Sequence, residues 1–171
     1  MTRISRKVCV IGDFAVGKTS TATRFVNNVF SEKYLTTIGV KIDTKDMSLA
    51  DGRVLRMVIW DIAGSDRFSS AEFAYMRGAQ GYLLVADGTR RETLASALAL
   101  RAAVEESYGV LPHALLLNKY DLVDDWEVSE EELDALRAQG ILVLCTSAMT
   151  GKCIENAFAS LAEAMTSTPA E

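Results

Sequence analysis

The residues able to do chemistry in this chain fall in four short segments. The first, Gly12-Asp13-Phe14-Ala15-Val16-Gly17-Lys18-Thr19 followed by Ser20, fits the pattern G-x-x-x-x-G-K-[ST]. Glycines let the backbone wrap a chain of phosphates, and successive amide N–H groups at a helix N-terminus supply positive potential without side chains. The Lys18 ammonium can reach the outer phosphates, and the Thr19 hydroxyl can hold Mg²⁺. The second segment is Asp61-Ile62-Ala63-Gly64. A carboxylate at the end of a buried strand can hold the same metal through water, and the Gly64 N–H can meet a terminal phosphate. The third and fourth, Asn118-Lys119-Tyr120-Asp121 and Thr146-Ser147-Ala148, each follow a short apolar run. An Asp121 carboxylate turned toward a base accepts two hydrogen bonds from guanine, one from N1–H and one from the exocyclic amine. Adenine has an acceptor at N1 and no amine at C2, which leaves a buried acceptor unpaired at a cost of about 1–3 kcal/mol or more. Together the segments point to GTP and GDP with Mg²⁺, and away from ATP.

These residues need a frame. Residues 8–11, 82–86, 114–117 and 141–145 are apolar without alternation, as in strands buried on both faces, and helical patterns lie between them. That rhythm predicts βαβ units and a mainly parallel sheet, whose ligands sit at the C-terminal ends of the strands. The stretch 19–27 reads as the helix opened by the phosphate loop. One strand pair breaks the rhythm: 40–50 and 53–61, joined through Asp51-Gly52, predict an antiparallel hairpin at one side of the sheet. A helix over 129–139 has a capping box of Ser129 and Glu132, a Val128–Leu133 staple and Gly140 at its end. Ile154, Ala157, Phe158, Leu161 and Met165 share one face of a last helix, and Leu94, Ala97, Leu98 and Val104 do so in a middle one.

Length and charge exclude several classes. With 171 residues the expectation is one domain over 1–171, with its core at about 5–166. Eighteen Lys and Arg against 23 Asp and Glu give −5 without any block of like charge, which argues against nucleic acid or an anionic membrane as the main partner. No run of about 18 apolar residues is available to span a bilayer. Cys9, Cys145 and Cys153 lack metal-ligand spacing, and Cys9 and Cys145 lie in apolar runs, the pattern of buried thiols in a reducing compartment. His113 reads as structural, the Arg90-Arg91 pair as a solvated helix start, and Trp126 as a half-exposed loop residue with no assigned role.

With these four elements in this order and spacing, the chain resembles the Ras superfamily of small GTPases along nearly its whole length. The Rab branch is the nearest: Tyr34-Leu35-Thr36-Thr37-Ile38-Gly39-Val40 resembles the Rab first switch. Trp60-Asp61-Ile62-Ala63-Gly64-Ser65-Asp66-Arg67-Phe68 resembles W-D-T-A-G-Q-E-R-F, and Tyr75-Met76-Arg77-Gly78-Ala79 resembles Y-Y-R-G-A. The resemblance implies a P-loop NTPase fold of class α/β. It has a six-stranded, mostly parallel sheet with one antiparallel strand, about five helices and a GTP/GDP switch. It further implies that Thr37 joins Thr19 and Asp61 around Mg²⁺, that Phe30 packs against the guanine, and that Tyr34 covers the phosphates. Lys119 would lie along the base, and Ser147, Ala148 and Met149 would border it. Effectors and exchange factors would read the switch regions at about 32–42 and 62–79.

The sequence departs from that pattern where hydrolysis occurs. Ser65 stands where the family has its water-positioning glutamine, and it is too short to span water and γ-phosphate. Phe14 stands where Ras proteins have glycine, beside the space an arginine finger enters. The candidate catalytic set is therefore Lys18, Thr37, Gly64 and a weak Ser65, and slow hydrolysis is expected. Two alternatives stay open: a neighbour such as Asp66 or Arg67 takes over, or the chain is a GTP-binding scaffold in which hydrolysis plays no part. A P-loop kinase is disfavoured by the N-K-x-D segment and the absence of an arginine-rich lid. Met149, in place of the lysine of S-A-K, is peripheral. The C-terminal Met165 to Glu171 carries no prenylation cysteine. That leads to the expectation of a cytoplasmic protein that has no direct membrane anchor and reaches membranes only through partners, unless the sequence is truncated.

Overall fold

The computed structural model describes residues 3–30, 39–62 and 73–167. Six strands form one sheet: β1 (Arg3–Gly12), β2 (Val40–Ser48), β3 (Val54–Ile62), β4 (Gly81–Asp87), β5 (His113–Asn118) and β6 (Val143–Cys145), in the order β2-β3-β1-β4-β5-β6. Every neighbouring pair is parallel except β2 and β3, whose antiparallel register runs from Val40 opposite Ile62 to Ser48 opposite Val54. Around the sheet lie α1 (Lys18–Asn27), α2 (Arg91–Tyr108), α3 (Glu130–Ala138) and α4 (Ile154–Thr166). A 3-10 helix over Tyr120–Asp125 makes five helical elements among the described residues.

The lack of alternation in the strands has a direct cause. Successive side chains of a strand leave opposite faces, so a strand covered on both sides must be apolar at every position. Val8 and Val10 of β1 enter one core with Phe25 of α1 and Phe158 of α4, whose rings stack at 3.8 Å between centroids. Cys9 and Ile11 enter the other core with Leu94 and Ala97 of α2 and Leu133 of α3. The edge strand β2 is different: none of its residues is buried, and from Asp43 to Ser48 half-buried and exposed positions alternate.

The α3 cap forms as expected. The Ser129 hydroxyl accepts from the Glu132 N–H, and the Glu132 carboxylate accepts from the Ser129 N–H. The Arg91 guanidinium, and then the Ser129 N–H, hold the Glu132 carboxyl down at about 2. Two readings need correction. The run 141–145 yields a strand only from Val143, although Ile141 is still buried, and Cys145 is half-buried because the edge strand β6 has one open side.

Gly12 closes β1 at φ 154° beside its partner Val85. A Cβ there would lie 2.3 Å from the Val85 carbonyl oxygen, a backbone atom that cannot swing away. Gly12→Ala is expected to lose about 2–4 kcal/mol of stability. Gly109→Ala also has a positive φ but meets nothing within 4 Å, so it should lose less. Denaturant melts of the two variants check the difference.

Candidate nucleotide-binding site

All the chemistry-bearing segments within the described residues emerge at the C-terminal edge of the parallel strands. β1 runs into the loop 12–17, which turns through positive φ at Ala15 (61°) and at Gly17 (102°), the N-cap of α1. Gly17 supplies no side-chain cap to that helix, and a helix N-terminus is the kind of end that suits an anion. Val16 and Lys18 are buried, Asp13, Thr19 and Ser20 are half-buried, and Phe14 and Ala15 are exposed. The Lys18 ammonium donates to the Asp13 carbonyl at 2.6 Å, within the curl of the loop.

Asp61, the last residue but one of β3, lies next to this loop. It is 1% exposed, and its Oδ2 accepts from the Thr19 hydroxyl at 2.5 Å while its Oδ1 has no hydrogen-bond partner. Burial raises its carboxyl above the usual carboxylate range, opposed by the Thr19 hydroxyl and the Lys18 and Lys41 charges. An orphaned carboxylate oxygen beside a hydroxyl is a donor set that suits a hard divalent cation, and Thr19 and Asp61 are the residues that would hold Mg²⁺. The cation would supply positive charge to neighbouring phosphate oxygens.

At the other end of the loop Asn118 joins three segments. Its side-chain amide donates to the Val16 carbonyl at 3.0 Å, and its Oδ1 accepts from the Ala148 N–H at 3.1 Å and the Thr146 hydroxyl at 3.3 Å. The contact is so close that a Cβ on Gly17 would stand 2.2 Å from the Asn118 amide nitrogen. The Lys119 ammonium bridges the Ala15 carbonyl at 3.1 Å and the Asp87 carboxylate at 2.8 Å. The exposed Asp121 accepts from the hydroxyl of the buried Ser147 at 2.7 Å. Ala148 is buried, Met149 is exposed, and Phe30 is half-buried just beyond α1. The phosphate-type loop and the base-type loops are thus bonded into one ledge. Tyr34, Thr37, Gly64, Ser65, Asp66 and Arg67 lie outside the described residues, as do most of 32–42 and 62–79.

A sequence model of the Ras family matches residues 7–167. The chain belongs to the Ras family. Ras-related protein RGP2 of Oryza sativa subsp. japonica is 37% identical over 157 residues, covering 91% of this chain and 72% of that protein. Rab-8A of Gallus gallus is 37% identical over 158 residues, covering 91% and 76%. Rab-13 of Bos taurus is 34% identical over 158 residues, covering 91% and 77%. These relatives place this Ras-family chain near the Rab branch, among small GTP-binding proteins, and members of the family in general bind GTP and GDP with Mg²⁺. Among the described residues no helix is long and apolar enough to cross a membrane.

Three residues of this Ras-family site carry no motif of their own. Asp87, 1% exposed at the end of β4, accepts from the Thr89 N–H and hydroxyl, the Arg90 guanidinium and the Lys119 ammonium. Burial pushes its carboxyl up, but the Lys119 and Thr89 bonds outweigh that and leave it below the usual carboxylate value. Arg90 is half-buried, not a solvated helix start, because its guanidinium also donates to the Phe14 carbonyl at 2.8 Å. Arg24 of α1 grips the carbonyls of Ala148 and Met149. The one available signal was position: Asp87 ends a buried strand, and Asp61 stands one residue from the end of another.

The metal reading has a simple test. Stripping Mg²⁺ with EDTA should speed GDP release from the wild type by about tenfold or more, and Asp61→Asn should flatten that response. Stopped-flow release of a fluorescent GDP analogue measures both.

Proposed function

We propose that this chain is a Rab-like GTP/GDP switch that binds its nucleotide with Mg²⁺ and hydrolyses GTP slowly. The observation that carries the reading is the Asn118 junction, which bonds the loop of Lys18 and Thr19 to the segment of Asp121, Ser147 and Ala148. Phosphates would lie on the amides of residues 13–20 with Lys18, and the base between Lys119, Phe30 and Ala148, with Asp121 selecting guanine. Thr37 and Gly64 would meet the γ-phosphate in the GTP state only. Its loss would release residues 32–42 and 62–79, the surfaces effectors and exchange factors read. Such a protein would work in the cytoplasm and reach membranes through partners.

Slow turnover is supported by two side chains. Ser65 replaces the residue that would orient the attacking water. The Phe14 ring is 46% exposed on the phosphate loop, where it would obstruct an arginine finger. The same ring favours a second reading, a scaffold that holds GTP without turning it over. Nucleotide-free protein incubated with equimolar GTP and ATP should retain guanine nucleotide alone, and retention of ATP would overturn the reading. Incubation of the GTP form with Mg²⁺ then separates the two: GDP accumulating over hours fits the switch, persistent GTP the scaffold.

A further inference from the structure

Trp126 follows the 3-10 helix Tyr120–Asp125, none of whose residues is buried. Something other than a core must hold that helix, and with it Asp121. The Trp126 indole lies on Gly88, the residue after β4: a Cβ there would come within 2.1 Å of the ring. Gly88 is not among the positive-φ glycines, so its backbone does not require glycine. The indole does. Gly88 also binds both ends of the segment, donating its N–H to the Asn118 carbonyl at 3.1 Å and accepting at its own carbonyl from the Glu127 N–H at 2.9 Å.

The indole N–H donates to the Lys119 carbonyl at 2.9 Å. Lys119 is left-handed, φ 72° and ψ 39°, a conformation that costs a non-glycine residue free energy and persists only where its surroundings enforce it. The indole also meets the Tyr120 ring edge-on at 5.5 Å, and the Lys152 ammonium sits 4.3 Å above that ring. Lys152 belongs to the loop after Ser147 and Ala148. One stack, Gly88, Trp126, Tyr120 and Lys152, therefore connects the end of β4 to both segments assigned to the base.

We propose that Trp126 clamped on Gly88 is a positioning residue for the Asn118 to Asp121 segment, and that it sets the residence time and base selectivity of the bound guanine nucleotide. The inference rests on the nucleotide reading above. It adds that the segment is held by a side chain outside the N-K-x-D motif, paired with a glycine kept small to admit it.

The test uses the full chain loaded with fluorescent GDP and a competition series of GDP against inosine diphosphate, which lacks the exocyclic amine. Trp126→Ala and Gly88→Ala should each speed GDP release about tenfold. The double variant should do no more than either alone, because both changes remove the same contact. Trp126→Phe keeps a ring on Gly88 but loses the N–H, so it should fall between wild type and Trp126→Ala. The preference for GDP over the inosine nucleotide should shrink in the same order, while acceleration by EDTA stays as in the wild type, because Thr19 and Asp61 are untouched. That selectivity readout separates positioning from a general loss of stability. If wild-type protein binds GDP and the variants release it at the wild-type rate, or the double variant is additive, the clamp is overturned alone. If wild-type protein holds no guanine nucleotide, the reading of the site falls, and the clamp with it.

Discussion

Asp121→Asn is expected to lower GDP and GTP affinity at least about 100-fold and to turn the site toward xanthine nucleotides. A carboxylate accepts from both N1–H and the exocyclic amine of guanine, and hydrogen bonds to a charged group are the stronger kind. The Ser147 hydroxyl donates to Asp121 Oδ1 at 2.7 Å, which fixes the orientation of the side chain. In the asparagine variant the amide oxygen keeps that place, and the –NH₂ group takes the position that faces the base. It then opposes the guanine amine, donor against donor, but pairs with the carbonyl that xanthine has at C2. Rejection through an unpaired polar group is the route by which sites reach high selectivity. Displacement of fluorescent GDP by guanine and xanthine diphosphates measures the inversion, and a variant that keeps guanine preference would remove Asp121 from the base.

Ser65→Gln is expected to raise single-turnover GTP hydrolysis roughly 10- to 100-fold, because a longer amide can hold the attacking water against the γ-phosphate. Phe14→Gly should raise it less on its own and should restore the response to an activator that inserts an arginine. The substitution is local, since Arg90 binds the backbone carbonyl of Phe14 and not its ring, so the anchor of the loop survives the change. Both side chains border the γ-phosphate, so their effects are expected to couple in the double variant.

Much of this architecture could be read in advance because each element carried its own local signal. Residues 8–11 lacked alternation because Val8 and Val10 fill one core and Cys9 and Ile11 the other. Asp51-Gly52 marked the only antiparallel pair of the described sheet, and Ser129 with Glu132 marked the start of α3. The phosphate loop and Asn118 were legible for the same reason, since glycine positions and a strand end can be recognised within a few residues. What escaped was contact between distant segments. Arg90 touching Phe14, Arg24 reaching Ala148 and Trp126 seated on Gly88 join residues far apart in sequence, and no local pattern records them. Trp126 also sits among Asp124, Asp125 and Glu127, a neighbourhood that reads as solvated loop; Gly88, which looks like an ordinary turn residue, is what admits the indole.

The most direct test of the account is a time course of bound nucleotide. Wild-type protein is stripped, loaded with GTP in Mg²⁺, freed of excess, and its extracted nucleotide followed by chromatography. Close to one guanine nucleotide per chain is expected, converted from GTP to GDP over hours and faster in Ser65→Gln. No retained guanine nucleotide would contradict the site, and conversion within minutes would contradict the role given to Phe14 and Ser65.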